Sequence, residues 1–124
     1  MAADPRQGLG RAGEELAVRH LERRGFTIVE RNFRTRAGEL DIIGYNGTTL
    51  VFCEVKTRRA CGSRGHALEA VNPRKRLQVR RIARSWLNAC VERPYAPVLR
   101  FDAIGVTLDA TGRLISLEHV EAAF

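Results

Sequence analysis

The chain has 124 residues, 44% hydrophobic and 28% charged, a size and composition that fit one globular domain over residues 1–124 and exclude collagenous, mucin-like and wholly disordered classes. The net charge is +7, no apolar run approaches the roughly 18 residues of a membrane span, and the opening Met1 to Gly8 has no apolar signal region. A cytoplasmic protein without a membrane partner, flexible over residues 1–8, is therefore expected.

The spacing predicts a first helix over Leu9–Arg24: Leu9, Gly13, Leu16, Ala17, His20 and Leu21 recur at i, i+3, i+4, and Gly25 supplies the stop. At ~100° per residue Glu14 lies at the edge of the apolar face, looking along the core, whereas Glu15, Val18 and Glu22 point away. Gly8 to Gly13 satisfies G-x-G-x-x-G, but no strand precedes it, so the context of a dinucleotide site is missing. Extended segments are predicted over Phe26–Phe33, Glu39–Tyr45 and Thr48–Thr57, with Asn46-Gly47 as a hairpin signal between the last two. A second helix is predicted from Asn72 as N-cap and Pro73 in the first turn to about Glu92. Val79, Ile82, Ala83, Trp86, Leu87 and Cys90 form its apolar stripe, and Arg74, Arg81 and Arg84 face outward. Two more extended runs, Val98–Leu108 and Arg113–Val120, complete the order αβββαββ, an α/β fold with a mixed sheet flanked by helices. Trp86 and Phe52 read as core rather than as platforms for stacked bases. Cys53, Cys61 and Cys90, like His20, His66 and His119, show no metal-ligand spacing, so neither a disulfide framework nor a His/Cys metal site is expected.

Candidate chemistry lies around the hairpin. Alternation along Leu50–Lys56 puts Glu54 and Lys56 on one face. A two-residue loop pairs positions summing to 93 and leaves Asp41 diagonal to Glu54, ~7–8 Å away, while a four-residue loop raises the sum to 95 and sets Asp41 directly opposite at about 5 Å. In both registers Asp41, Glu54 and Lys56 share a face; an odd loop or a bulge would separate them. Converging carboxylates without sulfur or imidazole suit Mg²⁺ or Mn²⁺ completed by a polyanion. Lys56 would then orient the attacking water or stabilise charge on a phosphate. The competing reading is an ion-pair ladder on an exposed sheet face. Glu39 reads as a supporting residue beside Asp41, and Asp102 as a structural carboxylate.

Between Lys56 and Arg84 ten basic residues face one acid, Glu69, a local +9 that leaves −2 for the remainder. Such a block is the footprint of a polyanion, nucleic acid first, with a solvated helix face as the alternative. Of the 21 basic residues 19 are arginine. A lysine that persists in that background, Lys56 or Lys75, is either there by chance or needed as a compact ammonium that arginine cannot replace.

Asp41-x12-Glu54-Val55-Lys56, after a helix carrying Gly13-Glu14 and before a basic helix, resembles the PD-(D/E)-x-K nuclease superfamily. Gly10-x-x-Gly13-Glu14-x-x-Ala17, Arg31-Asn32-x-Arg34, Gly38-Glu39-x-Asp41-x-Ile43, Val51-Phe52-x-Glu54-Val55-Lys56-x-Arg58, Glu69-Ala70-Val71 and Arg100-Phe101-Asp102 together resemble the YraN-type family of predicted endonucleases. The resemblance implies a restriction endonuclease-like αβββαβ core. It also implies that Glu14, Asp41 and Glu54 correspond to the acidic metal ligands and Lys56 to the active-site lysine. Leu40 stands where the superfamily usually has proline. The expectation is a metal-dependent phosphodiesterase acting on DNA, with branched or repair-related substrates in view. Asp41, Glu54, the Val55 carbonyl and Glu14 would hold Mg²⁺ or Mn²⁺, and Lys56 would position water. Arg58, Arg59, Arg74, Lys75, Arg80, Arg81 and Arg84 would hold the backbone. Symmetric cutting of paired strands would call for a homodimer. The rivals are a nucleic-acid-binding module on the same fold that does not cut, and a scaffold whose arginines contact an acidic protein.

Overall fold

Leu21 and Phe26 close the first element. In the computed structural model, which describes residues 5–60, 73–90 and 92–124, helix α1 spans Pro5–Arg23. Gly25 follows at φ 92°. Its N–H donates to the Glu22 carbonyl and that of Phe26 to the Leu21 carbonyl, both at 3.0 Å, the paired bonds of a helix end that needs a left-handed residue. Strands β1 (Thr27–Thr35), β2 (Gly38–Tyr45) and β3 (Thr49–Arg59) follow, then helix α2 (Pro73–Ala89), β4 (Val98–Leu108) and β5 (Leu114–Val120). The predicted order αβββαββ is the observed one. The expected N-cap Asn72, with Cys61, His66 and Glu69, lies outside the described residues.

The five strands form one sheet in sequence order, antiparallel except for β3 and β4, which run parallel from Thr49↔Val98 to Arg59↔Leu108. A parallel pair needs a crossover, and α2 lies within it. Each face carries its own core. Ala17, Val18 and Leu21 of α1 pack with Phe26, Ile42, Val51, Cys53, Ile104, Val106 and Leu108. Val79, Ile82, Ala83 and Trp86 of α2 pack with Leu40, Ile43, Leu50, Phe52 and Ala103. Val18, expected to point away from the core, is 8% exposed: α1 lies flat on the sheet, so its buried face is wider than one stripe. Trp86 meets Phe52 edge-on at 5.8 Å, and its Nε1–H donates to Glu30 Oε1 at 2.9 Å. Both aromatics are core, as read. Among the described residues no helix is long and apolar enough to cross a membrane.

The hairpin takes the four-residue alternative, with Tyr45↔Leu50, Gly44↔Val51, Ile43↔Phe52 and Ile42↔Cys53. Asn46 Oδ1 shapes the loop by accepting from the Thr48 and Thr49 amides at 3.1 and 2.8 Å. The next step would set Asp41 opposite Glu54, but the ladder ends at Ile42↔Cys53.

Candidate functional site

Strict alternation would put Leu40 and Ile42 on one face of β2. Instead Ile42 packs toward α1 while Leu40 and Ile43 pack toward α2, so the pleat changes phase between Leu40 and Ile42. The facing strand shows the cause. With Arg31↔Ile42 and Phe33↔Leu40 paired, Asn32 lies opposite Asp41 and adopts φ 55°, a left-handed conformation that asparagine tolerates better than most residues. The shared-face reading of Asp41, Glu54 and Lys56 assumed unbroken alternation. Asp41 is turned toward α1 instead, into a cluster in which one oxygen each of Glu14, Glu39 and Asp41 lies within 4.8 Å of the others. Glu39, read only as a supporting residue, is a full member.

Asp41 Oδ2 accepts the Val55 amide at 2.7 Å, in place of the next rung of the ladder. Burial pushes its carboxyl up to about 7; the Val55 hydrogen bond opposes that rise, and the charges of Glu14, Glu54 and Glu39 add to it. Glu14 is also raised, by burial first and Glu39 second, against the pull of Arg31 and Asn32. The Asn32 amide is oriented by its neighbours, its NH₂ donating to Glu39 Oε1 at 2.8 Å and Glu14 Oε2 at 3.2 Å. Arg34 Nε lies 3.2 Å from Glu39 Oε2. Glu15, expected to be solvated, is exposed and pairs with Arg31 at 2.7 Å. The cluster opens into a cleft of about 350 Å³ lined by Gly10, Arg11, Glu14, Asn32, Arg34 and Glu39. Three carboxylates this close, partly desolvated, favour a shared proton or a bound cation over full ionisation.

Glu54 is placed differently. It is 8% exposed, and its Oε1 lies 2.6 Å from Lys75 Nζ on α2 and 3.9 Å from Lys56 Nζ on β3. It is not one of the three converging carboxylates, although its charge is felt at Asp41. Lys75, grouped above with the backbone-binding residues, is thus committed to Glu54. Among the other basic candidates, Arg74 and Arg81 line a second cleft with Ala37, Leu77 and Gln78, and Arg84 is exposed. Arg80 donates to the Phe124 carbonyl at 2.9 Å and lies over the Phe101 ring at 4.6 Å, which ties down the C-terminus. Arg59 donates to the Ala110 carbonyl at 3.2 Å, and Arg58 Nε is buried without a hydrogen-bond partner among the described residues.

Asp102 is structural, as expected, but far from isolated. Fully buried, it accepts from Arg100 Nε and Nη2, from the Ala122 amide at 3.0 Å, and pairs with His119 Nε2 at 2.7 Å. His119 Nδ1 in turn meets His20 Nε2 at 2.9 Å, which links α1, β4 and β5. Burial raises the Asp102 pKa, but the hydrogen bonds from His119, Arg100 and Ala122 outweigh it and hold the carboxyl below its ordinary value.

A model of the uncharacterised protein family UPF0102 matches residues 13–106. A UPF0102 protein of Frankia alni is 47% identical over 126 aligned residues, covering all of both chains. One of Acidothermus cellulolyticus is 55% identical over 85 residues, 68% of this chain and 64% of the relative. One of Chlorobium limicola is 41% identical over 128 residues, 100% of this chain and 96% of the relative.

Proposed function

We propose, from the premise that this chain belongs to the UPF0102 (YraN) family, that it is a metal-dependent nuclease hydrolysing phosphodiester bonds in nucleic acid, DNA first. The observation that carries the reading is the convergence of Glu14, Glu39 and Asp41 on one point beside an arginine-lined cleft. The donor set fits a hard divalent cation: every ligand is a carboxylate oxygen, and Asp41 pushed up to about 7 is a group whose charge wants a counterion. Glu14, Glu39 and Asp41 would hold Mg²⁺ or Mn²⁺, with the Val55 carbonyl and Glu54 as further oxygen donors. The cation would offset carboxylate repulsion and act as a Lewis acid on the phosphodiester. Arg11 and Arg34 at the mouth of the cleft would bind flanking phosphates, Arg74, Arg81 and Arg84 would carry the backbone across α2, and Lys56, its side chain 60% exposed, would orient the attacking water. Hydrolysis forms one P–O bond to that water and breaks one ester P–O bond.

The test is cleavage of labelled single-stranded, duplex, flap and four-way-junction DNA in Mg²⁺ and Mn²⁺, with Asp41→Asn and Glu14→Gln alongside. Cutting by wild type that falls at least about a hundredfold in each variant is expected; binding without cutting under every condition would overturn the reading. A second reading, a module that binds nucleic acid without cutting it, is favoured by one observation: Glu54 is paired with Lys75 and is not among the three converging carboxylates.

A further inference from the structure

The chain contains 19 arginines and two lysines, and both lysines converge on one atom, Glu54 Oε1, from different elements. Lys56 approaches along β3 at 3.9 Å and Lys75 from α2 at 2.6 Å. The Lys75 side chain is 30% exposed and that of Glu54 10%, so the closer contact is shielded from water, where an ion pair is screened least. In a sequence that otherwise uses arginine for positive charge, a compact ammonium at this point reflects geometry: it occupies one carboxylate oxygen without the planar two-point grip of a guanidinium. Glu54 directly precedes Val55, whose amide donates to Asp41 Oδ2 at 2.7 Å, so the backbone that carries Glu54 lies against the cluster. Removing the Lys75 ammonium would leave Glu54 only the longer, more exposed contact with Lys56 at 3.9 Å.

We propose that Lys75 is a positioning residue of this site: its ammonium withholds Glu54 from a divalent cation until a nucleic-acid phosphate on α2 draws the ammonium away. The proposal rests on the metal-site reading above and gives the site a substrate-linked control. Arg74, next in sequence to Lys75, is exposed and stands where that phosphate would arrive. The non-catalytic reading took the Glu54–Lys75 pair as a permanent block; here the same pair is a reversible one.

The experiment measures Mn²⁺ binding to the full chain by electron paramagnetic resonance, without DNA and with a phosphorothioate duplex that resists cutting. Wild type, Lys75→Met, Lys75→Gln and Lys75→Arg are compared. Lys75→Met and Lys75→Gln are expected to bind Mn²⁺ about tenfold tighter than wild type without DNA, because a competing cation is gone. Lys75→Arg, which keeps the charge and can grip both carboxylate oxygens, should bind Mn²⁺ no tighter than wild type. DNA should tighten Mn²⁺ binding by wild type but not by the two neutral variants. Cutting by those variants should need less Mn²⁺ for half-maximal rate without a higher maximal rate, a split that a purely structural salt bridge would not produce. Unchanged or weaker Mn²⁺ affinity in both neutral variants, with wild-type circular dichroism and melting, would overturn the role of Lys75 while leaving a cutting, Mn²⁺-binding wild type intact. A wild type that binds no Mn²⁺ with or without DNA would overturn the metal site and this proposal together.

Discussion

At the scale of single residues, the site is governed by where carboxylates are placed rather than by how many there are. Asp41 titrates near 7 because burial and three neighbouring acids oppose its charge, and this has a sign. Below about pH 4 the group is protonated in both folded and unfolded chains. Between that pH and about 7 only the unfolded chain ionises, and above 7 the folded protein carries the full cost of the charge. Asp41→Asn keeps an oxygen for the Val55 amide and removes the charge. Its melting temperature should therefore exceed that of wild type by a margin that grows from pH 4 to 7 and is level above. A plateau on the order of 5 °C is expected, the shift that about 1–2 kcal/mol produces in a domain of this size. Mn²⁺ at pH 8 should raise the wild-type melting temperature and EDTA reverse it, with neither acting on the variant; a margin independent of pH would refute the assignment. Asp41 and Glu54 stood out in the sequence because hairpin pairing brings the two strand positions together, and Glu14 because the family resemblance sets it beside them. Glu39 and Asn32 were less legible as cluster members, since their placement depends on one backbone torsion at Asn32 that parity arguments ignore. The one available signal was an asparagine inside a run otherwise read as extended.

Between elements, the site depends on how closely α1 approaches β3. A Cβ built on Gly13 would lie 1.7 Å from Thr57 Oγ1 and 2.7 Å from its Cβ and Cγ2, so only glycine lets the helix sit where it does. Gly13→Ala should push α1 away from β3 and carry the adjacent Glu14 out of the carboxylate cluster. Chemical denaturation should show a loss of roughly 1–3 kcal/mol from overpacking, and Mn²⁺ affinity should fall by more than a change in folded fraction explains. Adding Thr57→Gly to the same chain makes room for the methyl and should recover part of the affinity; no recovery would place the fault elsewhere. The elements themselves were well marked in the sequence. Strand β4 occupies the predicted Val98–Leu108, because Pro94 and Pro97 precede the run and the turn Asp109-Ala110-Thr111-Gly112 ends it. The end of α2 at Ala89, three residues short of expectation, was less clear, since the apolar stripe continues through Cys90, which remains partly buried against the same core.

Across the whole molecule, the positive charge divides into two populations that composition alone cannot separate. Arg59 and Arg80, exposed as they are, and Lys75 each hold an intramolecular partner, while Arg74, Arg81 and Arg84 are exposed on α2. Replacing Arg81 and Arg84 with alanine should weaken nucleic-acid binding evenly across sequences and reduce the slope of log affinity against log salt by about one per arginine. Arg80→Ala should instead lower the melting temperature and leave that slope within error. Equal salt effects from both sets would mean that intramolecular partnering does not decide which arginines meet phosphate.

Strand β3 is bonded to β4 from Thr49 to Arg59, but to β2 only from Leu50 to Cys53. Past Cys53 it is a cantilever, clamped on one flank and unladdered on the other. Its unladdered flank is held by the Val55 amide on Asp41 Oδ2 and by Val55 and Thr57 against the α1-side core, so any bending of the segment carrying Glu54, Lys56 and Arg58 is transmitted to the carboxylate cluster. A load placed on Lys56 or Arg58 would thus reach Asp41 through a single hydrogen bond, which makes that half-strand a lever on the cluster.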